Sequence, residues 1–353
     1  MDISKAFDSV SHSLLMKKLL QYGIPVMYVN IIKYWYSNQI VKVRYGSEYS
    51  DEWTLCNGVR QGGVLSGLFF NIYIDSLIDK ISNSKFGCKL GITTSNIIAY
   101  ADDIVLLAPT CSSLQILIDI AYNEACLLDL EFNALKSKCL AFKHSRDGKG
   151  IERTFVIGTS PIEIVTSFKY LGYMINNKLT NVDDIDRARD VFYKEFNCII
   201  RKFSFTDTRV KLFLFKSYCL QMYGSELWFN NHLSIGSLRS LGVAYHKAIK
   251  KLLGLSYHES NHFACQEAQL LTFENLINKL KILHVIRMIE KPCNFLKKVS
   301  GFLSACSLLY RETYDILTNK YTIDSLVDND KDAIVSRIFF VQNHEPQMRL
   351  GWE

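Results

Sequence analysis

Two adjacent aspartates, Asp102 and Asp103, stand between the apolar runs Ile97-Ile98-Ala99-Tyr100 and Ile104-Val105-Leu106-Leu107. That pattern predicts a hairpin with a doubly acidic turn. Two like charges on a tight turn repel, and each raises the other's pKa unless a cation lies between them. Mg²⁺ takes oxygen ligands and often uses only one or two protein carboxylates plus substrate phosphates. A third carboxylate from another strand would complete a site for two metal ions. One ion would activate an attacking hydroxyl, and the other would neutralise a departing pyrophosphate. On its own the pair also fits an ordinary acidic turn, since turns favour Asp.

The chain that must position such a turn has 353 residues, 48% of them hydrophobic and 22% charged, with 5 prolines. This length holds two or three packed modules, and this composition excludes a disordered chain, a collagen, a coiled coil or a small disulfide scaffold. The opening Met1-Asp2-Ile3-Ser4-Lys5 has no apolar segment behind a basic start, so no signal peptide is expected and the protein is not read as secreted. The longest apolar stretch, 64–74, is interrupted by Ser66 and Asn71 and is too short to cross a bilayer. The ten cysteines are scattered, no two closer than thirteen positions, which rules out zinc-finger spacing. Reduced, buried thiols in the cytoplasm or nucleus are the expectation.

Hydrophobic periodicity predicts helices from Ser11 to Tyr22, from Pro25 as a first-turn residue to about Ser37, and over 66–81. A strand pair is expected at 39–45 and 52–56, followed by a glycine-rich loop at 58–63. After the acidic hairpin at 96–108 come a helix at 112–130 and short strands near 139–143, 154–157 and 168–171. From Val182 the period is helical, with long helices at 183–203, 207–228 and 235–254. Charge follows the same division. Residues 1–150 hold 15 Lys and Arg against 14 Asp and Glu, whereas residues 191–300 hold 16 against 7. Lys194, Arg201, Lys202, Arg209, Lys211, Lys216, Lys247, Lys250 and Lys251 all fall in that basic stretch, which suits a polyanion.

Three segments then read together: Asp2-Ile3-Ser4-Lys5-Ala6-Phe7-Asp8, Gly58-Val59-Arg60-Gln61-Gly62-Gly63-Val64-Leu65-Ser66, and Tyr100-Ala101-Asp102-Asp103. Their order and the helices between them resemble the palm of reverse transcriptases, specifically those of non-LTR (LINE-type) retrotransposons. Asn133-Ala134-Leu135-Lys136-Ser137 and Phe168-Lys169-Tyr170-Leu171-Gly172 extend the likeness to about residue 175. Tyr223-Gly224-Ser225-Glu226-Leu227-Trp228 continues it more loosely and favours the retrotransposon lineage over an intron-encoded one.

The resemblance implies an α+β fold, a reverse-transcriptase palm of antiparallel sheet and packed helices, followed by an all-helical thumb and C-terminal region. The corresponding divisions are a palm with primer grip at 1–178, a basic helical thumb at 179–290 and a tail at 291–353. It implies that Asp2, Asp102 and Asp103 hold two Mg²⁺ ions, with Mn²⁺ as a substitute, and that Lys136 protonates the departing pyrophosphate. Phe7 would be the gate against a 2′-OH. Arg60, Gln61 and Gly62 would contact the incoming nucleotide and the template, with Asn71 on the helix behind them. Phe168, Tyr170, Leu171 and Gly172 would form the primer grip. The implied activity is RNA-directed DNA polymerisation, with an RNA template, a DNA primer and dNTPs as partners and no membrane.

Two departures accompany the likeness. Gly67 stands where the family usually has proline. Asp2 follows only Met1, so the chain reads as N-terminally truncated, with the fingers largely absent and no endonuclease module, and Asp2 is expected on a fraying end. A catalytically inactive nucleic-acid-binding remnant of such an element is the alternative that charge alone would satisfy.

Overall fold

The computed structural model describes residues 1–90, 93–142, 153–228 and 234–290, and the expected tail at 291–353 lies outside the described residues. The chain divides into two compact units, the first running from Met1 to Ala141 and on to Val165, the second from Thr166 onward.

The first unit contains α1 (His12–Gln21), α2 (Val26–Ser37), β1 (Ile40–Val41), β2 (Arg44–Tyr45), β3 (Glu48–Tyr49), β4 (Trp53–Thr54), α3 (Ser66–Ser82), β5 (Cys88–Leu90), β6 (Thr93–Ser95), β7 (Ile97–Tyr100), β8 (Asp103–Leu106), α4 (Cys111–Leu127), β9 (Lys138–Leu140), β10 (Phe155–Ile157) and β11 (Ser160–Val165). Its centre is α3, whose Phe69, Phe70, Tyr73, Ile74, Leu77 and Ile81 recur at helical spacing and are all buried. Each such side chain contributes about 1.5–3 kcal/mol of burial. Leu15, Met16 and Leu19 of α1 and Leu117, Ile118, Ala121 and Ala125 of α4 join the same core. Tyr73 ties these helices together: its hydroxyl donates to the Leu128 carbonyl (2.6 Å) and accepts from the Ser11 amide (3.3 Å). Thr110 caps α4 by accepting from the Ser113 amide at 3.1 Å.

The strands form small sheets that are mainly antiparallel, as expected. Strand pairing is split into short pieces: β1 with β4, β2 with β3, β5 with β6 and β7 with β8 are separate two-stranded antiparallel pairs. The three-stranded sheet β10-β11-β9 includes a parallel pair, β11 beside β9. Mixed helices and small, mainly antiparallel sheets are the architecture found.

The second unit opens with a hairpin, β12 (Ser167–Tyr170) and β13 (Tyr173–Asn176), the segment expected as the primer grip. Helices α5 (Val182–Lys202), α6 (Thr208–Leu214), α7 (Ile235–Leu253), α8 (Asn261–Glu267) and α9 (Phe273–Glu290) follow. Ile185, Ala188, Phe192, Phe196 and Ile199 of α5 pack with Phe215, Tyr245, Ile249 and Phe273 in one aromatic core.

The long helix expected at 207–228 is broken. α6 widens into a π-helical turn at Phe215–Cys219, and the chain then turns through Gly224 (φ +84°) into a short 3₁₀ turn, Ser225–Leu227. The reason is Asp184. This carboxylate is fully buried and accepts from the Arg187 side chain (2.7 Å), the Met174 amide (3.0 Å) and the Trp228 indole (2.8 Å). A straight helix would carry Trp228 past that partner. The break also lets two glycines meet two tyrosines. A Cβ on Gly172 would lie 3.1 Å from the Tyr223 ring, and one on Gly224 would lie 2.6 Å from the Tyr173 ring. Burial first, then the Asp184 charge, pushes the Tyr173 hydroxyl up to about 12.

Two further expectations change. Pro25 is the residue before α2 rather than its first-turn residue. Of the eight cysteines among the described residues, all free, Cys139, Cys219 and Cys265 are buried but Cys56 and Cys126 are exposed. No described helix is long and apolar enough to cross a membrane.

Candidate active site

The acidic hairpin forms with Tyr100 opposite Asp103, leaving Ala101-Asp102 as a two-residue turn. Ala101 holds a positive φ of 52°, a strained conformation for a residue with a Cβ. Such strain persists only where the surroundings enforce it, and it gathers at functional sites. The start of the hairpin is fixed by Asn96, which is buried and donates to the Ile81 and Ser84 carbonyls at the end of α3 (2.8 and 2.7 Å).

Asp2 is not frayed. It forms an antiparallel bridge with Asp103, and its neighbour Ile3 bridges Phe132 on the other side. The Asp2 carbonyl accepts from the Asn133 amide at 2.8 Å, and the Asp2 amide donates to the Ser137 hydroxyl at 3.1 Å. Residues on either side of such a bridge project to the same face of the sheet, so the Asp2 and Asp103 carboxylates are neighbours. Lys136 reaches the Asp2 carboxylate at 4.0 Å. Loss of water around Asp103, then the charges of Asp102 and Asp2, raise its pKa above the ordinary carboxylate range.

Ser137 is a residue that sequence reasoning missed. It is buried and orients the Asp2 backbone, yet the motif drew notice only to Lys136. Its signal was there: a polar residue between Lys136 and Lys138 whose alternation faces the core.

The other predicted residues of the first unit are joined to Asp2 through their segments. Phe7 is half-buried and stacks on Phe70 of α3, with ring centroids 4.9 Å apart and planes 22° apart. Its carbonyl accepts from the Val59 amide (2.7 Å), and the Val10 carbonyl accepts from the Gly58 amide (2.8 Å). Gly58 has φ +95°, and a Cβ there would touch the Asp8 backbone at 3.0 Å, so only glycine allows this seam. Beyond the seam, Arg60, Gln61 and Gly62 form an exposed loop, shaped by the Ser66 hydroxyl and the Gly63 amide donating to the Arg60 carbonyl. Asn71 is exposed on α3, and Gly67 has open space around its Cα.

Phe168, Tyr170, Leu171 and Gly172 belong to the β12–β13 hairpin of the second unit. Leu171 and Gly172 both have positive φ (46° and 85°), the signature of a type I′ turn, which normally takes Asn or Gly first. Phe168 and Leu171 are exposed and Tyr170 half-buried.

In the basic stretch, Lys194, Arg201, Lys202, Arg209, Lys216, Lys247 and Lys251 are exposed. Lys250 is not: it is buried and donates to the Tyr257 carbonyl at 3.0 Å. Its place on the inward face of α7, beside Ile249, explains the difference. Lys211 is half-buried, with its ammonium on the Ser204 carbonyl at 2.9 Å.

Whether these carboxylates suit a metal can be tested on their chemistry. Among the described residues no three His, Cys, Asp or Glu side chains converge as a complete ligand set. The donors present are hard oxygens, mutually repulsive, with one lysine at the edge. That set suits Mg²⁺, which keeps open positions for phosphate oxygens and water. Asp2, Asp102 and Asp103 are the residues that would hold it.

Comparison with known proteins agrees with the motifs. Residues 1–175 match the family described as reverse transcriptase (RNA-dependent DNA polymerase). The retrovirus-related Pol polyprotein from the type-2 retrotransposable element R2DM of Drosophila melanogaster is 33% identical over 197 residues, covering 54% of this chain and 18% of that protein. The probable RNA-directed DNA polymerase from transposon X-element of the same species is 26% identical, covering 79% of this chain and 30% of that protein. The RNA-directed DNA polymerase from mobile element jockey of Drosophila funebris is 25% identical, covering 73% and 28%. The chain thus spans less than a third of these relatives' length. It carries a reverse-transcriptase domain of the kind found in non-LTR retrotransposons.

Proposed function

We propose that this reverse-transcriptase domain serves an RNA-directed DNA polymerase that extends a DNA primer on an RNA template from dNTPs. The observation that carries this reading is the pairing of Asp2 with Asp103, beside Asp102 and within reach of Lys136. Divalent cations on these carboxylates would activate the primer hydroxyl and neutralise the departing pyrophosphate. The chain's own residues do the rest. Asp2, Asp102 and Asp103 supply fixed negative charge on adjoining strands. Lys136, mostly exposed and anchored only at the edge of ion-pair range, is free to swing to the leaving phosphates and give up a proton. Phe7, stacked on Phe70, is a rigid wall where the sugar edge of a nucleotide would lie, leaving no room for a 2′-OH.

In this reading residues 1–178, ending in the primer-grip hairpin, are the palm, and the exposed cations of α5, α6 and α7 belong to a thumb over 179–290. Contacts of that kind give affinity for the phosphate backbone without sequence readout. Neutralising about five phosphates gives a log–log salt slope of about −4 to −5 on duplex.

Primer extension tests the proposal. The purified chain, a primed RNA template, dNTPs and Mg²⁺ should give extended DNA, and Asp102→Ala should not, while still binding the template–primer. Normal extension by Asp102→Ala would overturn the mechanism. Salt-sensitive binding without extension by the wild type would leave only a nucleic-acid-binding role.

A further inference from the structure

Helix α2 buries one side and offers another. Val29 and Tyr36 are buried, and Ile32 packs partly against the core of the first unit. At about 100° per residue, Met27, Tyr28, Ile31, Tyr34 and Trp35 share an arc of roughly 120° turned away from that buried side. All five are exposed, from 44% at Trp35 to 74% at Tyr34. The polar residues Asn30, Lys33 and Ser37 fall on the third side of the helix. A surface helix ordinarily has one apolar stripe, turned to the core. This one carries a second, open to solvent among the described residues. At about 150–250 Å² per large side chain, those exposures leave on the order of 600 Å² of the stripe uncovered. That matches the upper end for the largest apolar patch on a monomer, about 300–600 Å², and such patches mark interaction sites.

The chemistry of the stripe selects its occupant. It carries no charge, so it has nothing to hold a phosphate backbone. Lys33 is the one charged residue of α2 and sits off the stripe, which falls short of the strongly basic face of a membrane-surface helix. A second copy of α2 fits instead. Laid antiparallel about a two-fold axis at Ile31, the stripe meets itself: Ile31 on Ile31, Met27 on Trp35 of the second copy, and Tyr28 on Tyr34 of the second copy. The spacing dictates these pairs, because Met27 and Trp35 flank Ile31 at equal distance along the helix, as do Tyr28 and Tyr34. Sulfur on indole and ring on ring are both favourable contacts. Asn30 and Lys33 stay outside the seam in both copies, so no charge is buried. Two stripes together bury about 1,200 Å², the lower bound for a specific, stable interface. We propose that the first unit pairs with a second copy of itself through α2, in an isologous, antiparallel contact centred on Ile31. The pairing uses none of the residues placed in the active site.

The test is sedimentation velocity on the full chain, over about a hundredfold range of micromolar concentration. The wild type should pass from monomer to dimer across that range. Ile31→Glu puts two carboxylates on the axis and should weaken the dimer at least about tenfold. Met27→Lys and Trp35→Glu should each weaken it by about tenfold. Mixed in equal amounts, these two variants should recover most of the loss, because one pairing becomes lysine on glutamate while the other stays methionine on indole. All three positions are exposed, so each variant should melt as the wild type does when dilute. A wild type that stays monomeric, a dimer that survives Ile31→Glu, or a mixture no tighter than its components overturns the proposal. So does a variant that melts well below the wild type while dilute, since the stripe would then be packed within its own chain.

Discussion

Two groups of carboxylates divide this molecule. In the first unit Asp2 bridges Asp103, Asp102 adds to the negative charge around Asp103, and Lys136 lies 4.0 Å from Asp2. In the second, Asp184 is fully buried and matched by an arginine, an indole and a backbone amide. In the first arrangement burial and the neighbouring carboxylates raise the Asp103 pKa; in the second the buried carboxylate is matched by three donors.

The difference can be broken from either side. Asp184→Ala leaves Arg187 and the Trp228 indole facing an empty, buried space. It should cost about 3–5 kcal/mol, read as a drop in the urea midpoint of the second unit. Asp102→Ala should do the reverse. Extension should fall by about 10²–10³-fold, while the urea midpoint holds or rises, because the lost charge was repelled rather than paired.

The two strained turns sharpen the contrast at lower energy. Leu171→Gly and Ala101→Gly each relieve a positive φ at a side-chain-bearing residue. Each should gain about 0.5–1 kcal/mol in denaturant melts once glycine's greater entropy cost is offset. Ala101→Gly should also slow extension, since a looser turn holds Asp102 less firmly. The smallest effect belongs to the basic helices: Lys247→Ala should reduce the slope of log affinity against log salt by about one, and Lys250→Ala should leave it unchanged and instead lower stability.

The sequence was most legible where structure is local. Periodicity placed α1, α3, α4, α5 and α7 to within a few residues, because each buries one face at helical spacing. The acidic hairpin was equally plain, since two apolar runs around two aspartates leave little choice of turn. The carboxylate neighbourhood was legible only as a family resemblance. Nothing in the residues around Asp2 shows that it lies between β8 and the Phe132 segment, because that pairing joins residues about a hundred positions apart. Asp184 was invisible for the same reason. Next to Asp183 in the first turn of α5 it reads as an ordinary helix-start charge, and its indole partner lies 44 residues on. The break at Gly224 follows from that distant contact, so a window scanning for helical period runs straight through it. Lys250 teaches the same lesson in miniature: counted as surface charge, it is in fact inside.

That separation between Asp184 and Trp228 has a consequence during synthesis. A ribosome adds about 5–20 residues per second. The hairpin β12–β13 and the start of α5 therefore emerge about two to nine seconds before the indole that completes their buried carboxylate. Through that interval Asp184 has Arg187 and the Met174 amide but lacks its indole donor, so its burial is completed only when Trp228 emerges.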